Sequence, residues 1–131
     1  MVGLIAVTAD KIKSAKNKKR FPSFFTADGI PKKIRCYDNQ GRSFDRYTIC
    51  FTGNYRHLTG GEFIGLGASE HPSHPQGFGQ HFSHTAQCDY PTYGHLGKKV
   101  KFESLPVDVQ KFIVSDYLSL WNFTNDKGEW Q

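Results

Sequence analysis

No apolar run in this 131-residue chain is long enough to cross a membrane. The opening Met1–Ala9 is apolar but short, and its positive charges follow it instead of preceding it, so it reads as neither a signal peptide nor a span. Cysteine is scarce: Cys36, Cys50 and Cys88 make an odd count with no paired spacing, which argues against a secreted disulfide framework and for a cytoplasmic protein. There is no internal repeat and no low-complexity linker, and the length suits one domain. Nucleotide fingerprints are absent too, because no lysine–serine ending or strand–turn–helix context accompanies the glycines. Helix-turn-helix, zinc-finger and RNP-like patterns are also missing, so contacts with nucleic acid would favour backbone charge over sequence.

What the chain does have is aromatic residues and unevenly placed charge. Aromatics make up 15% of the chain, with eleven Phe, six Tyr and two Trp. Their rings can supply a core despite a mean hydropathy of −0.55. Net charge is +5. Residues 1–35 hold nine Lys/Arg against Asp10 and Asp28, whereas the remainder is slightly acidic. Six of those cations, Lys11, Lys13, Lys16, Lys18, Lys19 and Arg20, form a basic arm suited to a polyanion or an acidic protein surface. Its bland alternative is a solvated tail. Phe21, Phe24 and Phe25 follow it and are expected to pin the arm to the core. The chain therefore divides into an arm (1–33), a core (34–121) and a polar tail (122–131).

Val2–Thr8 has the composition of a first strand. Residues 33–37 and 45–52, rich in β-branched and aromatic residues, flank the turn-forming Asp38-Asn-Gln-Gly-Arg42 and predict an antiparallel hairpin. Alternation assigns Ile34, Cys36, Tyr47, Ile49 and Phe51 to its buried face. Glu62–Leu66 is a third strand, 85–97 is irregular, and Lys98–Glu103 is a short strand. Leu105, Val109, Phe112, Ile113, Tyr117, Leu120 and Trp121 recur at helical spacing, with Ser104 as N-cap, Pro106 in the first turn and Asp108 at the positive end of the dipole. The expected fold class is α+β: a small, mainly antiparallel sheet with one C-terminal helix packed on it and long ordered loops.

Between Leu66 and His84 stand four of the six histidines, with Pro72 and Pro75 and several glycines. This stretch has neither helical nor strand periodicity, so it reads as a shaped loop and a working surface. Four segments carry a resemblance: Ile34-Arg-Cys-Tyr-Asp-Asn-Gln-Gly with Phe44-Asp-Arg-Tyr-Thr48; Leu66 to His81, containing His74-Pro-Gln-Gly-Phe-Gly-Gln-His81; His95-Leu-Gly-Lys-Lys99; and Phe102-Glu-Ser-Leu-Pro with Val109-Gln-Lys111. Over residues 34–121 the chain resembles a group of small bacteriophage- and plasmid-encoded proteins to which no activity is assigned. No functional residue carries over from that group. The resemblance implies an accessory protein in a bacterial cytosol, in a setting where such proteins block a host defence system by binding its protein, its nucleic acid or its nucleotide signal.

Three chemistries compete for the loop. His71, His74, His81 and His84 are spaced three, seven and three apart and could ligate zinc or another divalent metal, but Pro72 and Pro75 break the helix that would align the first two. A metal-dependent phosphoesterase would add Asp38, Asp45 or Glu70, and histidine could also act without metal as an acid–base pair. Gln76-Gly-Phe-Gly-Gln80 could bring backbone N–H groups to a phosphate and a ring to a base, with Arg42, Arg46 and Arg56 making bidentate contacts. An Asp45–Arg46 ion pair within the hairpin is the alternative for those residues. A binding surface without a pocket would use the arm and the rings of Phe78, Tyr90 and Tyr93. The leading expectation is a non-enzymatic protein with no cofactor and no catalytic residue. It would bind a host protein complex, nucleic acid or nucleotide through the arm and through Arg42, Arg46, His74, Gln76, Phe78 and His81, with no role for a membrane. A metal- or histidine-dependent nuclease or phosphoesterase is the second.

Overall fold

The computed structural model describes residues 21–83 and 96–121. The expected strand at Val2–Thr8, the Lys11–Arg20 arm and the polar tail 122–131 lie outside the described residues, as do His84, Cys88, Tyr90 and Tyr93.

The predicted hairpin forms. β1 (Ile34–Asp38) pairs antiparallel with β2 (Tyr47–Phe51), with Cys36 opposite Ile49. Cys36, Tyr47, Ile49 and Phe51 are buried and Ile34 partly so, following the period-two pattern. The turn between them is built on Asn39. Its Oδ1 accepts the N–H groups of Gly41 and Arg42, and its Nδ2 donates to Ser43 Oγ and the Asp45 carbonyl. The left-handed positions fall at Gln40 and Gly41, so Asn39 serves as the hydrogen-bonding hub of the turn.

β3 (Phe63–Ala68) pairs with β2, and β4 (Phe78–Ser83) pairs with β3. Residues 66–83 are therefore not one long loop: both ends are strand, and the connection is the short turn 69–77. The glycines and histidines obscure the strand pattern because a strand needs only backbone to pair. The turn is held by Ser69 N–H donating to the Gly77 carbonyl (2.8 Å), Gly77 N–H to the His74 carbonyl (2.7 Å) and His71 N–H to Ser69 Oγ (3.0 Å). A Cβ on Gly77 would collide with the His71 carbonyl, so only glycine closes it.

β5 (Lys98–Val100) returns to pair with β1, giving one antiparallel sheet in the order β4-β3-β2-β1-β5. One face is covered by the C-terminal helix. A single helical turn, α1 (Phe21–Phe24), precedes the sheet, and α2 (Val107–Leu120) follows it. The expected cap Ser104 instead lies in a 3-10 turn, Phe102–Ser104, where its hydroxyl donates to the Lys101 carbonyl. Pro106 holds Leu105 extended, and the helix restarts only after it. Val109, Ile113, Tyr117 and Trp121 face the sheet as the spacing predicts. Phe25 is buried edge-on to Tyr117, and Phe24 packs on Trp121, so this segment is pinned to the core through its rings.

Cys50 is disulfide-bonded and Cys36 is free, so the odd cysteine count conceals one bridge. No helix among the described residues is long and apolar enough to cross a membrane.

Candidate functional site

The strand registers decide what the face opposite α2 carries. One row across the sheet reads Arg35, Cys50, Gly65, His81, and the next reads Tyr37, Thr48, Gly67, Gly79. Three adjacent positions in β3 and β4 thus lack side chains. Two of them, Gly65 and Gly67, lie in the floor of a cleft of about 660 Å³, within the size range of small-ligand sites. Asn39, Ser43 and Asp45 stand at one end, Arg56 and Phe63 at the other, and Arg35 and His81 on the two sides.

At the upper rim, His81 Nε2 lies 3.9 Å from Asp45 Oδ2. Both side chains are open to solvent, and the separation exceeds a hydrogen bond. A Cβ on Gly67 would come within 2.9 Å of both atoms, so the pair closes over Gly67 and a side chain there would have to push them aside. At the lower rim, the Arg56 guanidinium lies 4.5 Å from the centre of the Phe63 ring, which presents a flat cation beside the floor. Together these groups offer a carboxylate that accepts from hydroxyls, an imidazole, guanidinium donors and a ring.

The residues singled out from sequence divide among three places. Arg42, Arg46, His74 and Gln76 gather at the end of the sheet where the β1–β2 and β3–β4 turns meet. There Phe44 packs edge-on to His74 at 6.2 Å, and Gln76 N–H donates to His74 Nδ1. Arg46 is paired with Asp38 (2.8 Å) and Glu70 (2.6 Å), not with Asp45, and so ties the two turns together. Its hydrogen bond holds the Asp38 carboxyl below the usual carboxylate range, and the two carboxylates in turn hold the guanidinium in its charged form. Phe78 is half-buried on the helix-covered side, 5.1 Å from the Phe112 ring. His81 reaches the cleft. The Lys11–Arg20 cations are outside the described residues.

Among the described residues no three of His, Cys, Asp and Glu converge as a metal site. The cleft's own residues were reached unevenly from sequence. Asp45 and Arg56 were named there for other partners and the glycines only as punctuation, whereas Arg35 had no assigned role, because their meeting depends on a register between strands distant in sequence. Comparison with family models, curated proteins and solved structures gives no match.

Proposed function

We propose that this is a non-enzymatic binding protein that captures a small phosphorylated ligand of nucleotide type in the glycine-floored cleft. In the phage or plasmid setting implied by the resemblance, it acts by sequestering a nucleotide signal of host machinery. The observation that carries this reading is the floor itself. Gly65 and Gly67 leave bare backbone between Arg56 with the Phe63 ring at one end and Asp45 at the other. Arginine recognises phosphate, a carboxylate accepts from ribose hydroxyls, and an aromatic face stacks on a base. The supporting volume matches a nucleotide or dinucleotide better than a single phosphate.

The test fills the floor. Gly65 has ordinary strand geometry, and a Cβ there meets only the Ile49 carbonyl at 3.5 Å, so Gly65→Leu folds and projects its side chain into the cleft. Titration calorimetry with a panel of nucleoside mono- and triphosphates and cyclic dinucleotides should detect binding to the wild type that weakens with salt. That binding should be lost in Gly65→Leu, whose melting temperature should be no lower than that of the wild type. A wild type that binds none of the panel, or a Gly65→Leu variant that binds equally well, sinks the proposal.

A second reading rests on one observation. Asp45 beside His81 is the arrangement of a histidine general base with an orienting carboxylate, and tightening from 3.9 Å on ligand binding would make it a phosphoesterase. Phosphate release from any nucleotide in the panel, abolished by His81→Gln, would establish that reading. Intact ligand recovered after incubation supports sequestration. The proposed compartment is the bacterial cytoplasm. The Cys50 disulfide pulls against it, since cytosolic thiols are kept reduced, and the thiol count of protein drawn from that compartment decides the matter.

A further inference from the structure

The two edges of the sheet are not alike. β5 is three residues long and carries Lys98 and Lys99, the usual protection of an exposed edge. β4 is six residues long, Phe-Gly-Gln-His-Phe-Ser, with no lysine, arginine, carboxylate or proline. Gln80, His81 and Phe82 are exposed on it, with Phe82 at 53% one of the most exposed large hydrophobic residues described. The bond from Ser69 N–H to the Gly77 carbonyl fixes the alternation along the β3–β4 ladder. Gly79 and His81 bond inward to β3, and Phe78, Gln80 and Phe82 direct their N–H and C=O groups outward. Among the described residues no hydrogen bond is made to those outward groups.

We infer that β4 is a self-association edge, and that a second copy of this chain pairs with it antiparallel about a two-fold axis through Gln80. In that register every outward group finds a partner: Gln80 faces its counterpart, and Phe78 faces the partner's Phe82, so all three positions make reciprocal pairs. The side chains agree with the backbone. Alternation places Phe78 and Phe82 on the same face, so exposed Phe82 meets the ring of the partner's Phe78 in a cross-strand aromatic pair. On the opposite face Gly79 meets the partner's His81. A Cβ on Gly79 would have nothing within 4 Å, so that face of the seam is uncrowded. Charge points the same way: no self-register of β4 opposes like charges, whereas pairing β5 with itself would set lysines against lysines. The two clefts would then lie on one continuous ten-stranded sheet. The inference stands independently of what the cleft binds.

The test is sedimentation equilibrium of the full chain from low to high micromolar concentration, alone and as two variants. Gln80→Pro removes an outward N–H and leaves the bonds to β3 intact, because the groups bonded to β3 belong to Gly79 and His81. Phe82→Lys gives β4 the protection that β5 already has. The wild type should be a dimer, and each substitution should weaken dimerisation by about tenfold or more while leaving the circular dichroism spectrum unchanged. A wild type that stays monomeric throughout overturns the inference, as does a dimer that neither substitution weakens. Should Gln80→Pro fail to fold, Phe82→Lys decides alone.

Discussion

Tyr117 offers the sharpest quantitative test of how this fold is held. Its side chain is fully buried, and its ring lies edge-on to Phe25, Phe51 and Trp121. Its hydroxyl donates to the Phe24 carbonyl at 2.8 Å and accepts Lys33 N–H at 3.3 Å. One oxygen therefore fastens both ends of the Phe24–Lys33 segment to the helix behind the sheet. Tyr117→Phe keeps the ring and removes only that oxygen. Stranding a buried partner costs about 1–3 kcal/mol. Both partners here are only partly buried, so water takes over some of the bonding, and the lower end, about 1–2 kcal/mol, is expected. In a chain of this size that lowers the thermal midpoint by roughly 4–8 °C. Tyr117→Ala also empties a ring-sized space among aromatics and should cost about 3–5 kcal/mol. Calorimetric melts of the three proteins, with guanidinium unfolding as a second measure, read both steps. Because Tyr117 lies on the helix side, ligand affinity in Tyr117→Phe should equal that of the wild type. A Tyr117→Phe midpoint within a degree of the wild type would refute the hydroxyl's role. A loss as large as that in Tyr117→Ala would show that the ring packing had been misread.

Two further outcomes follow from titratable groups. Cys36 is buried and its thiol is pushed up to about 12, first by burial and then by the Glu103 carboxylate, so a thiol reagent should leave it untouched in the native protein. In non-reducing denaturant Cys36 should react and Cys50 should not, whereas Cys50 reacts as well if its disulfide does not form. Acid titration should show opposing contributions from two aspartates. Asp38 is held below its ordinary value by Arg46, so the stability it adds is present above about pH 4 and is lost as pH falls below that, and Arg46→Met should remove that part of the acid transition. Burial raises Asp116 despite the hydrogen bond from Gln80, so its cost is present at neutral pH and is relieved as pH falls through the raised value. Asp116→Asn, which can still accept from Gln80, should be more stable at pH 7 and should not show that relief.

The helix and the first hairpin were legible because each pairs a hydrophobic period with a boundary. Tyr47, Ile49 and Phe51 alternate beside a turn, and Val109, Ile113 and Tyr117 repeat at four-residue steps. The β3–β4 hairpin was partly hidden. Ile64, Leu66 and Ala68 do alternate, but their intervening partners are Gly65 and Gly67, and β4 alternates between glycine or histidine and residues of mixed polarity. Glycines in a row of loop-like composition look like a loop until pairing partners are known. The position of Arg46 shows the same thing at the level of one side chain. Its sequence neighbour Asp45 was the obvious partner, yet Arg46 reaches Asp38 across the hairpin while Asp45 turns over Gly67. The cleft depends on three strand registers at once, and no local pattern encodes those.

The glycines of β3 and β4 connect the two proposals by a stability argument. Glycine inside a strand costs about 0.5–1 kcal/mol relative to alanine, and it gives up the cross-strand contact a larger side chain would make. At Gly67 the structure supplies the reason, because Asp45 and His81 fill the space where a Cβ would stand. At Gly65 and Gly79 it does not: the first would meet only a carbonyl at ordinary contact distance and the second nothing at all. A valine at either position would fit the isolated chain and hold its sheet more firmly. The space above them is open to an occupant from outside the isolated chain. A ligand lying over Gly65 and the partner's β4 alongside Gly79 are the occupants that the surrounding chemistry fits. If Gly65→Leu is as stable as the wild type but no longer binds, the empty floor is maintained for the ligand and not for the fold.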